Sequence, residues 1–172
     1  MRRLFLPALL CALSCGSAPE GGGGVPVGLD IHGLTPQDIG TVQIAVLAHG
    51  NSYTCATLTD TCLRSAVLNG DGTWNPDLLQ LKGDDGKLHR SYRPANFDPS
   101  QLTGASGATL NLSLSPGTNF LVVVEVLSPN DPVEVQASGC LPVAQLDSGV
   151  NKAVTIQVQA KAVVPTCEPR ID

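Results

Sequence analysis

Residues 108–127 read ATLNLSLSPGTNFLVVVEVL. Ala108, Leu110, Leu112 and Leu114 alternate with Thr109, Asn111 and Ser113. That is the period of two expected of a strand with one apolar and one wet face. Ser115-Pro116-Gly117-Thr118 has the residues of a turn. Phe120 to Leu127 follows, apolar on both faces, as in a central strand. Its one charge, Glu125, shares a face with Leu121, Val123 and Leu127.

The same alternation recurs on either side. Val25, Val27, Leu29 and Ile31 define one strand, and Val42, Ile44 and Val46 a second. Between them Thr35-Pro36-Gln37-Asp38 suits a single helical turn, with Thr35 as N-cap and Pro36 at the first helical position. After a turn at Asn130-Asp131-Pro132, Val133, Val135 and Ala137 alternate again. Val154, Ile156, Val158 and Ala160 close the series. No segment keeps a helical period over three turns. The 18 glycines and 13 prolines fall mainly between the apolar runs, as turn punctuation. The expectation is an all-β protein, an antiparallel β-sandwich over residues 25–172. Residues 49–106 break the pattern. They carry turn signals at Asn69-Gly70-Asp71-Gly72, a small hairpin around Gly83-Asp84-Asp85-Gly86, and a capped turn at Asp98-Pro99-Ser100-Gln101. This stretch is too long for one sandwich connection, so it is expected as an irregular insertion on an end or edge of the sheet.

The stretches LNLSLSPGTNFLVVVEVL, VEVQASGC and KAVTIQVQA resemble the second half of immunoglobulin-like and transthyretin-like modules of exported bacterial proteins, over roughly residues 108–160. The resemblance implies a fold and no activity. The antibody-type Cys-Trp-Cys core is missing, because Trp74 has no cysteine at the expected spacing on either side.

The chain begins with Met1-Arg2-Arg3, an apolar run Leu4–Leu13, and Ser14-Cys15. The run is too short to span a bilayer, which needs about 20 residues, and Pro7 interrupts it. It reads as a secretory signal peptide over residues 1–14. The segment resembles the lipobox of bacterial lipoproteins, with Ala12 and Leu13 where that family usually has Leu and a small residue. The resemblance implies cleavage before Cys15, diacylglycerol on its sulfur and an acylated amine, such as palmitate, with anchoring in the outer membrane because Gly16 follows. The alternative is ordinary cleavage after Ala18. Residues 15–24 then form the lipidated cysteine and a Gly-rich tether.

Six cysteines fit this account: Cys11 leaves with the signal peptide, Cys15 takes lipid, and Cys55, Cys62, Cys140 and Cys167 remain for two disulfides in an oxidising compartment. Three pairings are open. Nearness in sequence favours Cys55–Cys62 with Cys140–Cys167. No spacing is C-x2-C with a following zinc-finger histidine, so these cysteines are not read as metal ligands. The net charge of −5, or −7 without Arg2 and Arg3, offers nucleic acid no electrostatic footprint.

Catalytic signatures are thin. His32, His49 and His89 fall on polar strand faces or strand ends, and no Gly-x-Ser-x-Gly elbow or helical His pair is present. His89 could meet Asp84 or Asp85 across the hairpin, but all three read first as solvated turn residues. Asn69-Gly70-Asp71-Gly72 does not fit an EF-hand, because Val67 and Leu78 would stand at ligand positions. Soft copper ligands are missing, since the only methionine is Met1. No cofactor and no catalytic or metal-binding residue is assigned.

The aromatics are unevenly placed. Tyr53, Trp74, Tyr92 and Phe97 lie in residues 49–106, together with Arg64, Lys82, Lys87, Arg90 and Arg93. Aromatics beside arginines are the composition of binding hot spots. The plainer account is that they fill a satellite core. Tyr53, Trp74, Arg90, Tyr92 and Arg93 are the partner-binding candidates. The sequence thus suggests a non-enzymatic envelope lipoprotein that presents this segment to a protein or carbohydrate partner. A purely structural envelope component or accessory subunit is the alternative, and an unrecognised hydrolase a more distant one.

Overall fold

The computed structural model describes residues 23–102, 108–149 and 151–172. The export segment, Cys15 and the tether up to Gly22 lie outside the described residues. Eight strands are present among the described residues: β1 Gly23–His32, β2 Thr41–Leu47, β3 Leu81–Lys82, β4 Leu88–His89, β5 Ala108–Leu114, β6 Gly117–Leu127, β7 Val135–Leu146 and β8 Val154–Ala160. Two five-residue helices, α1 Cys55–Thr59 and α2 Leu63–Val67, lie between β2 and β3. The protein is mostly β, as its alternation requires.

Six strands form one sheet in the order β2-β6-β7-β8-β1-β5, and β3 pairs with β4 in a separate hairpin. The expectation of an antiparallel sheet is corrected at one place: β1 and β8 run parallel, from Val27↔Val154 to His32↔Gln159. Alternation tells which face a side chain takes. It carries no information on strand direction, and β8 enters between β7 and β1 from the far end of the chain.

β7 and β8 pair only at Ala137↔Ala160 and Ser138↔Gln159. At the next residue β8 crosses close over β7. A side chain at Gly139 would put its Cβ 2.1 Å from the Gln157 carbonyl oxygen, so this corner requires glycine. The sheet curls there until all six of its strands share one core. Val25, Val27 and Leu29 of β1 meet Ile44 and Val46 of β2, Leu112 of β5, Val122 and Val124 of β6, Ala137 of β7, and Ile156 and Val158 of β8. Pro142 stands in β7 beyond the corner, where the missing N–H costs no ladder bond to β8.

β6 is buried from Phe120 to Leu127 because both of its faces are covered. The inner face (Phe120, Val122, Val124, Val126) belongs to the main core. Leu121 and Val123 point outward and pack with Leu58 of α1, Leu63 and Val67 of α2, Leu78 and Ile171. Burying such residues is worth roughly 1.5–3 kcal/mol each. The insertion is therefore a lid on the outer face of β2 and β6. It also covers the β2 edge: Ile44 and Tyr92 exchange N–H···O bonds of 2.9 and 2.7 Å, and Leu79 N–H reaches the Val46 carbonyl at 2.9 Å. An open edge would be a template for unwanted pairing.

The four cysteines are all bridged, but not in the pairing nearness suggested. Cys55 joins Cys140, and Cys62 joins Cys167, with Cα separations of 5.7 and 6.3 Å. Each bridge ties the lid to a distant element: α1 to β7, and the start of α2 to the C-terminal segment. Cys55 and Cys62 open two successive short helices and meet different neighbours, so the nearest pair in sequence is not the nearest in space. Loops of 85 and 105 residues give each bridge, taken alone, about 4–5 kcal/mol in the chain-entropy account. Two such disulfides suit an extracellular or periplasmic compartment. No described helix is long and apolar enough to cross a membrane.

Candidate binding site

α2 buries Leu63 and Val67 and leaves Arg64 half-exposed on its outer side. The chain then turns through Asn69-Gly70-Asp71-Gly72. The Asn69 N–H reaches the Thr73 carbonyl (2.8 Å), the Asp71 carboxylate accepts from the Thr73 N–H (2.9 Å) and hydroxyl (2.6 Å), and Gly72 takes φ +82°. Those two bonds, the hydroxyl first, hold the Asp71 carboxyl below the usual carboxylate range. The turn brings Trp74 back opposite Leu68, onto the second core cluster.

Two guanidinium groups lie over the Trp74 ring, Arg64 at 6.0 Å and Arg90 at 5.6 Å from its centre. Such cation–π contacts are worth about 0.5–1 kcal/mol where exposed. The ion pairs among the described residues are His32–Asp30, His49–Asp77, His89–Asp85 and Arg93–Asp172. Neither Arg64 nor Arg90 is in one, and no carbonyl accepts from either guanidinium among those residues. Two candidates, Trp74 and Arg90, are thus brought together, and Arg64 joins them. In the sequence Arg64 stood out only as one of several basic residues.

The other three candidates have internal roles. Tyr53 is half-buried, donating its hydroxyl to Asp77 (2.7 Å) and accepting from the Asn75 amide (3.0 Å). Burial, then the Asp77 bond, raises its phenol above the ordinary value. Asp77 in turn is lowered by Tyr53 and then by His49, whose Nδ1 lies 2.9 Å away. Tyr92 is buried in the main core at 9% exposure, its hydroxyl donating to Asp84 at 3.0 Å. Arg93 is paired with Asp172.

Each histidine has a carboxylate neighbour, but the three pairs stand apart. His89 and Asp85, 3.0 Å apart, do converge with Asp84 on a cavity of about 190 Å³. The hairpin itself uses those carboxylates: Asp84 accepts from Tyr92 and the Ala95 N–H, Asp85 from His89 and the Lys87 N–H. Ser91, on the same wall, gives its hydroxyl to the Ile171 carbonyl at 2.6 Å. No hydroxyl or thiol contacts an imidazole among the described residues. No cluster of three metal-binding side chains occurs among them either. A larger cavity of about 450 Å³ lies between Gly50, Tyr53, Phe120 and Pro142. On its rim the Asn119 side-chain amide accepts from the Asn51 backbone N–H (2.9 Å) and donates to the Asn51 side-chain oxygen (2.7 Å), and His49 and Asn119 beside it take left-handed φ values of +50° and +61°.

One group escaped the reading of the sequence. Glu125 is fully buried on the outer face of β6. It accepts from the Leu63 N–H at 2.6 Å, capping α2 where Cys62 cannot because its sulfur is bridged, and from Gln43 at 3.2 Å. Burial raises its carboxyl to about 7, against the lowering effects of the Leu63 N–H, Gln43 and Lys161. Its only signal was a charge in an otherwise apolar run. Its bonds tie α2 and β2 to β6, so it holds structure together.

No family model matches the chain, and neither a curated protein nor a solved structure does.

Proposed function

We propose that this chain is an exported bacterial envelope lipoprotein, anchored by acyl chains on Cys15, that works as a non-enzymatic binding module. Its curled sheet is read as a β-sandwich of immunoglobulin-like or transthyretin-like type, held off the outer membrane by the Gly-rich tether. The disulfides support export, and the lid over β2 and β6 is the presenting surface. The observation that carries the reading is the pair of arginines held over Trp74 with no carboxylate partner among the described residues. A core needs no such arrangement, and partner-binding surfaces are enriched in these residues.

The test compares envelope extracts passed over the immobilised protein and over its Arg64→Ala/Arg90→Ala variant. Bound species should be lost from the variant. Retention of every one would remove this surface from consideration and favour a purely structural role. Intact-mass measurement of the membrane fraction checks the anchor: acyl groups on Cys15 are expected, and an unacylated N-terminus at Pro19 would overturn it.

A further inference from the structure

We infer that the Arg64–Trp74–Arg90 surface docks an acidic segment of a partner protein, its guanidinium groups taking Asp or Glu carboxylates. The inference rests on the binding-module reading and names the chemistry of that site.

Charge is the first argument. The chain carries −5 overall, yet here two arginines share one indole and have no ion pair among the described residues. Of the acids nearby in sequence, Asp71 serves Thr73, Asp77 serves Tyr53 and His49, Asp84 serves Tyr92 and Asp85 serves His89, while Asp60, four residues before Arg64, forms no ion pair with either arginine. Lys82 and Leu88 face each other across the β3–β4 hairpin, both exposed, with Leu88 at 64% two residues before Arg90. The site thus offers two guanidinium groups without an ion pair among the described residues, with an exposed leucine close by in sequence.

Orientation is the second. A guanidinium laid over an indole has already lost part of its rotamer freedom, so a carboxylate that binds its N–H edge costs less ordering. The planar fork matches a carboxylate in two parallel hydrogen bonds. Stacking also decides between partner classes. Carbohydrate recognition uses the open face of an aromatic ring, and here the protein's own guanidinium groups lie over that ring. The groups left to meet a partner are N–H donors, which suits acidic peptide better than sugar.

Trp74 is the only tryptophan, so indole fluorescence reports this site alone. The full-length protein is titrated with hexaglutamate, with hexaglutamine, and with oligogalacturonate of equal charge. A saturable fluorescence change is expected with hexaglutamate only, weaker at 300 mM than at 50 mM salt. Binding should fall at least tenfold in Arg64→Gln/Arg90→Gln. Arg64→Lys/Arg90→Lys keeps the charge and fold while removing the fork, and should bind at an intermediate level. No saturable change, undiminished binding by the glutamine variant, or equal affinity for oligogalacturonate would each overturn the inference. Should envelope species still depend on Arg64 and Arg90 while hexaglutamate fails, the acidic-peptide assignment falls and the binding module stands.

Discussion

Gln43 and Glu125 face each other across β2 and β6, both fully buried, with the Gln43 amide donating to the Glu125 carboxylate at 3.2 Å. The pair joins four parts of the chain. Gln43 also donates to the Pro169 carbonyl (2.9 Å) and accepts from the Ile171 N–H (3.0 Å), while Ser91 bonds the Ile171 carbonyl and Glu125 caps α2. No buried side-chain polar atom among the described residues lacks a partner. A satisfied network of this kind specifies one packing of lid, sheet and C-terminal segment.

Stability should fall as pH rises through this network. The Glu125 carboxyl sits near 7 when folded and near 4.5 when unfolded. Below 4.5 both states are protonated and its contribution is complete. Between 4.5 and 7 the unfolded chain releases the proton first, so stability declines, by at most about 3 kcal/mol. Glu125→Gln should lack this slope. The exposed carboxyls of Asp38, Asp71, Asp85 and Asp98 are lowered, so their effect has the opposite sign and is lost only at more acid pH. Urea midpoints from pH 4 to 9 for both proteins check this. Identical slopes would exclude Glu125 as the source.

Disulfide mapping under non-reducing conditions should recover peptides linking Cys55 to Cys140 and Cys62 to Cys167. Cys62→Ser/Cys167→Ser should cost about 2–4 kcal/mol and speed proteolysis after Lys161, because that bridge and Gln43 together hold the C-terminal segment. A Cys55–Cys62 peptide would contradict the fold of the lid.

Gly139→Ala should destabilise by about 1–3 kcal/mol, since the new methyl meets the backbone of Gln157 and Val158 rather than a movable side chain. Gly24→Ala, with nothing within 4 Å, is the control and should cost under about 1 kcal/mol. Equal denaturation midpoints for the two would mean that the corner between β7 and β8 is looser than described.

Tyr92 separates packing from binding. Tyr92→Ala should cost about 3–5 kcal/mol through the cavity it leaves, and Tyr92→Phe about 1 kcal/mol through the lost bond to Asp84. Tyr92→Phe should bind hexaglutamate as the wild type does. A binding loss with unchanged stability would return Tyr92 to the partner surface.

Much of the architecture was legible along the chain. The alternation at 25–31, 42–46, 108–114 and 154–160 identified strands and their inner faces, because side chains on extended backbone must alternate. The short turn Thr35–Asp38 and the hairpin at 81–89 were legible too, since proline, glycine and aspartate limit the backbone locally, whereas the insertion, expected on an end or edge of the sheet, covers the outer face of β2 and β6 as well as the β2 edge. α1 and α2 were not, because five residues hold less than two helical turns and show no period.

The rest was decided in three dimensions. Strand order, the parallel β1–β8 contact and the disulfide partners all depend on which distant segments meet, and no local pattern encodes that. The two-faced apolar run of β6 announced that something covers its outer side. Only the tertiary structure shows that α1, α2 and Ile171 do so, and that Glu125 is tolerated there because Leu63 and Gln43 arrive to donate to it. The site divides in the same way. Composition marked residues 49–106 as aromatic and basic. Packing then took Tyr53, Tyr92 and Arg93 for internal bonds, and left Arg64 and Arg90 over Trp74, without a carboxylate partner among the described residues.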